Sequence, residues 1–140
     1  MPDLFKDVGA FHRKFELPSW PTAPGPALPS MDVVEFRVGF LREELRELIV
    51  AFSRDDLPGA ADALVDLVYV ALGTAHLMGL PFNALWTEVQ RANLAKERAA
   101  GAADPRSRRG HALDVVKPPG WQPPDVAGVL RAHGWKGQAP

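Results

Sequence analysis

The chain has 140 residues, 16 basic and 17 acidic, for a net charge of −1. A balance this close to neutral provides no global field for nucleic acid or an anionic membrane, and neither is expected as a partner. The absence of cysteine excludes disulfides, thiolate metal sites and a cysteine nucleophile; it suits a reducing, cytoplasmic setting.

Residues 3–15 carry Leu4, Val8, Phe11 and Phe15 at helical spacing and predict an amphipathic first helix. The same segment has early acidic residues and no apolar core of signal-peptide type. Residues 17–29 hold five prolines and a glycine and predict an irregular arm. Asp32 followed by Glu35 has the form of an N-cap with a partner three residues on, and predicts a helix to about residue 52. Its apolar positions Val33, Phe36, Phe40, Leu41, Leu45, Leu48 and Phe52 recur every three or four residues. A turn follows at Asp55-Asp56-Leu57-Pro58-Gly59. Pro58 suits the first turn of the next helix, which runs to about Met78 with Gly79 as its stop. That helix is apolar nearly all round, and the helices of one small chain cannot cover it on every side. A homodimer or higher homo-oligomer is therefore expected.

The near-apolar run over residues 63–80 is interrupted by Asp66 and His76. As a lone membrane span it would place a carboxylate in lipid, so a soluble protein is expected. A further helix is predicted over residues 82–97. Residues 101–124 are rich in glycine, proline and arginine and read as a tail wrapped on the body, with a short last helix at 125–133. No repeat and no β-branched alternation is present. The fold class expected is all-α, a helical bundle in a single domain over 1–140, with its core at 31–98 and an irregular tail at 99–140.

Five acids form two clusters, Glu43-Glu44-x-x-Glu47 and Asp62-x-x-x-Asp66. Spacings of three and four put each cluster on one side of its helix, and a Pro-Gly turn makes the two helices antiparallel neighbours. Asp62 and Asp66 are the only charges between residues 60 and 72. Such acids need compensation, and oxygen-only clusters suit Mg²⁺, with Mn²⁺ as an alternative. An ion there would hold substrate phosphates and activate a water. The alternatives are structural. Glu43, Glu44 and Glu47 alternate with Arg42 and Arg46 as on any solvated helix face, and Asp62 and Asp66 serve equally as caps or as partners of a buried arginine. A di-iron carboxylate bundle is disfavoured, because none of the four histidines stands three residues after a glutamate.

The ordered series Glu43-Glu44-x-x-Glu47, Ala61-Asp62-Ala63-Leu64-Val65-Asp66-Leu67-Val68-Tyr69-Val70, Glu88-Val89-Gln90-Arg91-Ala92-Asn93-Leu94-Ala95-Lys96 and Lys117-Pro118-Pro119-Gly120-Trp121-Gln122-Pro123-Pro124-Asp125 resembles the MazG-like all-α NTP pyrophosphatases. The tail is similar to the dUTP-hydrolysing branch of that family. The resemblance covers roughly residues 11–130. It implies a four-helix-type bundle assembled as a dimer, Mg²⁺ on the acidic helices, and cleavage of nucleoside triphosphates between the α and β phosphates in a house-cleaning role. By position it implies Glu43, Glu44 and Glu47 as metal ligands or as the holder of the attacking water, and Asp66 as a ligand. The family's second motif has a glutamate where this chain has Ala63. At ~3.6 residues per turn, Asp62 and Ala63 lie about 40° and 60° to either side of Asp66, so Asp62 can supply the missing oxygen.

The resemblance also implies Arg91, Asn93 and Lys96 as phosphate ligands, against a structural reading of a solvated helix end. Lys117, set before a Pro-Pro-Gly turn, joins them. Arg106, Arg108 and Arg109 read as a flexible basic run, solvated or a phosphate lid. Phe11, His12, Phe15, Trp20 and Trp121 are candidates to stack on a base, with core or tail anchoring as the alternative. The function expected is a Mg²⁺-dependent nucleoside triphosphate pyrophosphohydrolase acting on a substrate such as dUTP. Its rivals are a non-catalytic nucleotide sensor of the same fold and a structural helical dimer.

Overall fold

The computed structural model describes residues 1–22 and 25–137; Ala23 and Pro24 of the expected arm, and the last three residues of the tail, lie outside the described residues. Five helices and one two-stranded ribbon occur among the described residues: α1 (Leu4–Lys14), α2 (Met31–Ser53), α3 (Leu57–Leu77), α4 (Phe82–Leu94), β1 (Glu97–Arg98), β2 (Val115–Val116) and α5 (Val126–Ala132). The chain forms two compact units, residues 1–82 with the chain end from His133, and residues 83–132. This division places almost all of α4 with the tail.

In the first unit, local chemistry starts and stops each helix. Asp3 caps α1 by accepting the Lys6 N–H. Asp56 caps α3 by accepting the Gly59 N–H at 3.0 Å, with Pro58 in the first turn. Gly79, at φ 63°, takes the left-handed conformation that ends α3, as expected. Ser30, not Asp32, is the N-cap residue of α2; its hydroxyl donates to the Asp32 carboxylate, so Asp32 sits within the first turn. Asp55, at φ 53°, makes the tight reversal between α2 and α3.

The core has two parts. Phe5, Val8, Leu72 and Ala75 join α1 to α3, flanked by Trp20, Leu80 and Phe82. Leu48, Ala51, Ala60 and Ala63 join α2 to α3, their small side chains permitting close approach. The buried face of α2 differs from the apolar stripe in its sequence. Arg37, Glu44, Leu48 and Ala51 face inward, while Phe36, Leu45 and Phe52 are 64%, 48% and 64% exposed. The periodicity located the helix but not the side that meets α3.

His76 locks α1 onto α3. Its ring stacks on Phe5 at 3.8 Å, Nε2–H donates to the Phe5 carbonyl at 2.8 Å, and Nδ1 accepts the Trp20 N–H at 3.1 Å. Both nitrogens are committed to the neutral ring, and burial holds its pKa below the ordinary value. Gly9 lies against this ring, and a Cβ there would come within 2.9 Å of His76 Cε1. Gly9→Ala is therefore expected to cost about 1–3 kcal/mol through overpacking. Thermal melts followed by circular dichroism check this; an unchanged melting temperature would show that the ring moves freely.

In the second unit, α4 ends at Leu94 instead of residue 97, because Glu97 leaves the helix to pair with Val116, and Arg98 with Val115, in an antiparallel ribbon. The ribbon was not expected from the sequence. The tail is tied to α4: Trp121 Nε1 donates to the Ala92 carbonyl at 2.7 Å, and the Asp125 N–H donates to Glu88 at 2.9 Å. The basic run is not a free lid. Arg106 pairs with Asp104 and Glu97, and Arg109 pairs with Asp114 at 2.6 Å. Asp104 and Asp114 are buried and organise the loop; the Arg106 guanidinium keeps the Asp104 carboxyl well below its usual range.

Candidate active site

The α2–α3 hairpin brings the five acids into one electrostatic group. Glu44 is the buried member, 7% exposed, and its Oε2 has no hydrogen-bond partner. Its carboxyl is pushed up, first by burial and then by repulsion from Glu47, Asp66, Glu43 and Asp62. All four of the other acids are thus close enough to repel it. Among the described residues none of the five forms a salt bridge.

Among the described residues neither Asp62 nor Asp66 is seen as a helix cap or as a partner of a buried arginine. The cap of α3 is Asp56. The buried arginine is Arg37, which donates Nε–H to Thr74 Oγ1 at 3.0 Å and Nη2–H to the Val70 carbonyl at 2.8 Å, both on α3. It is held by neutral oxygens, not by an aspartate. Ala63 is 2% exposed within the α2–α3 core, whereas Asp62 is exposed.

Two hollows flank the acids. One, of about 350 Å³, is lined by Glu43, Glu47 and Asp62 together with Arg46 and Arg54. The other, of about 240 Å³, is lined by Glu44 and Asp66 with His12, Arg37, Phe40 and Tyr69. Glu44 interacts with acids of both. Among the described residues no three acidic or histidine side chains are gathered tightly enough to enclose a metal ion as they stand. The chemistry of the donors nevertheless fits a hard divalent cation: oxygen-only, without salt bridges among the described residues, and with one buried carboxylate oxygen left without a partner.

Arg91, Asn93, Lys96 and Lys117 all lie in the second unit. Arg91 is tied up, pairing with Glu88 at 2.7 Å and donating to the Pro123 carbonyl at 3.2 Å. That pair holds the Glu88 carboxyl down to about 2. The other three gather around one ring: Lys96 Nζ donates to Asn93 Oδ1 at 2.9 Å, and the Lys96 and Lys117 ammonium groups stand 5.6 and 4.6 Å from the Trp121 ring centre. Of the aromatic candidates, Phe11 and His12 line the smaller hollow. Phe15 packs on Phe11, and Trp20 belongs to the α1–α3 core. The sequence did not single out Arg37, since an arginine on an amphipathic helix carries no mark of burial; Arg46 and Arg54 are exposed.

A mostly helical fold with clustered acids on an antiparallel pair of helices is consistent with the all-α NTP pyrophosphatase fold. The chain belongs to the phosphoribosyl-ATP pyrophosphohydrolase family, whose sequence model matches residues 8–93, within the MazG-like all-α NTP pyrophosphatase superfamily. The matched stretch contains both acid clusters. The family is one of hydrolases acting on phosphoanhydride bonds. No curated protein matches the chain.

Proposed function

We propose that the protein is a Mg²⁺-dependent nucleoside triphosphate pyrophosphohydrolase that converts a pyrimidine deoxynucleotide such as dUTP to the monophosphate and pyrophosphate. The observation that carries this is the mutual repulsion of Glu43, Glu47, Asp62 and Asp66 on Glu44, with an orphaned oxygen on the buried Glu44. When bound, a divalent ion supplies charge neutralisation, polarisation of phosphoryl oxygens and an acidified water. Glu47, Asp62 and Asp66 would hold the ion, and Glu43 and Glu44 would add oxygens to it or orient the attacking water. Asp62 takes the place of the family glutamate that Ala63 lacks.

The family description names phosphoribosyl-ATP. In the second unit, Lys96 and Lys117, with Asn93, form a cationic group suited to phosphate oxygens. Incubating the protein with dUTP, dCTP or phosphoribosyl-ATP, with Mg²⁺ or with chelator, and separating the products tests the reading. Monophosphate and pyrophosphate from dUTP, abolished by chelator, are expected. Turnover of phosphoribosyl-ATP alone would reassign the substrate, and no turnover of any nucleotide would favour the sensor reading.

The functional unit proposed is a homodimer. Leu4, Leu64, Val65 and Val68 are about half exposed or more, at 54%, 51%, 63% and 47%, and line an apolar groove of about 490 Å³ between α1 and α3. Contiguous exposed apolar surface of this kind marks an interaction face.

A further inference from the structure

The smaller hollow contains a polar pair that the acid chemistry does not use. His12 is 2% exposed, and its Nδ1 stands 2.7 Å from the Pro18 carbonyl oxygen. A carbonyl only accepts, so Nδ1 carries a proton, and in the neutral ring Nε2 then presents a lone pair. That lone pair and the Arg37 guanidinium converge over the bare backbone of Gly73. A Cβ at Gly73 would stand 3.0 Å from His12 Nε2 and 2.8 Å from Arg37 Nη2. Glycine thus lets one acceptor and one cationic donor approach the α3 backbone together in the lining of the hollow. Apolar walls are supplied by Phe11 and Tyr69, whose rings meet edge-on at 5.5 Å, and by Phe40. Glu44 and Asp66 line the same hollow.

From this juxtaposition we infer that His12 and Arg37 read the edge of the substrate base, selecting bases whose ring N–H adjoins a carbonyl, as in uracil, over bases whose ring nitrogen bears a lone pair beside an amino group, as in cytosine. The inference rests on the nucleotide-hydrolase reading above and names the specificity determinant of that same site. The ring N–H of the base donates to His12 Nε2, and the adjoining carbonyl accepts from Arg37. A cytosine edge presents a lone pair to the His12 lone pair and an amino group to the guanidinium, leaving buried polar groups unpaired on both sides. Sites that hydrogen-bond a particular group reject analogues lacking it far more strongly than apolar pockets do.

The test compares kcat and KM for dUTP and dCTP in the wild type and in His12→Gln, whose amide can either donate or accept. The wild type is expected to prefer dUTP by ~100-fold in kcat/KM, below the ~10⁴–10⁵ ceiling for such sites. His12→Gln should bring the ratio below about tenfold, mainly through KM. An equal loss on both substrates, with the ratio unchanged, would make His12 a structural residue and overturn the inference. Calorimetric titration of the wild type with the non-hydrolysable α,β-imido analogues of dUTP and dCTP, with Mg²⁺ present, keeps the inference exposed if the variant fails to fold or no nucleotide turns over. A uracil preference in binding without hydrolysis upholds base reading and removes the catalytic proposal. Binding of the two analogues within threefold of each other, or of neither, overturns the base reading.

Discussion

Glu44→Gln is expected to lower Mg²⁺-dependent hydrolysis by ~10³-fold or more while raising the melting temperature of the metal-free protein at neutral pH. The two effects have one origin. The Glu44 carboxyl is buried, and its Oε2 has no partner. Its pKa in the folded state lies above the ordinary 4.5, through burial first and then through its acidic neighbours. The folded state therefore binds this proton more tightly than the unfolded chain does. The resulting stabilisation is fully present below about pH 4.5 and is lost as pH rises through the elevated folded value. At neutral pH the ionised Glu44 thus opposes folding until a cation offsets it. Glutamine has the same shape without the charge. His76 acts in the other direction, since its lowered pKa makes acid unfavourable below about 6.5, so the comparison must be variant against wild type at each pH. Thermal melts at pH 5 to 8, with Mg²⁺ and with chelator, provide the check. For the wild type, Mg²⁺ at 100 times its Kd should stabilise by ~2.7 kcal/mol, and for the variant by much less. A metal-free variant less stable than wild type at pH 7, with its Mg²⁺ response intact, would remove Glu44 from the ion site.

Val68→Asp is expected to convert a dimer into a monomer. Val68 lies two residues from Asp66, on another side of α3, and lines the apolar groove with Leu64 and Val65. The reason to expect a partner is the inversion of the hairpin. Arg37 and Glu44 occupy the α2 face turned inward, while Phe36, Leu45 and Phe52 remain exposed. Unfavourable burial of a lone carboxylate at an interface of this kind costs several kcal/mol, or ~10³-fold in dissociation constant. Sedimentation velocity on the 15.3 kDa chain reads the outcome directly. Wild type is expected at twice that mass and the variant at the chain mass. A wild type that stays monomeric at tens of micromolar, with full activity, would show that the apolar face serves something else.

Much of the fold was legible because its signals are local. The Pro58 start of α3, its Gly79 stop and the spacing of α1 each depend on residues within one or two turns of each other. The end of α4 was not, because Glu97 is drawn out of the helix by Val116, a partner far along the chain. The acids stood out because Asp62 and Asp66 are costly in an apolar helix, and Ala63 proves to be core packing. The polar pair of the smaller hollow was hidden. Arg37 is buried only because Thr74 and Val70 supply oxygens from α3, and the free lone pair of His12 depends on the Pro18 carbonyl six residues on. No periodicity encodes either relation.

The most direct measurement of the central claim is hydrolysis of dUTP by the intact protein in ¹⁸O-labelled water with Mg²⁺, followed by mass analysis of both products. Water directed at the α-phosphorus by the five acids places the label in the monophosphate and leaves pyrophosphate unlabelled. Label in pyrophosphate, release of orthophosphate, or turnover undiminished by chelator would contradict it.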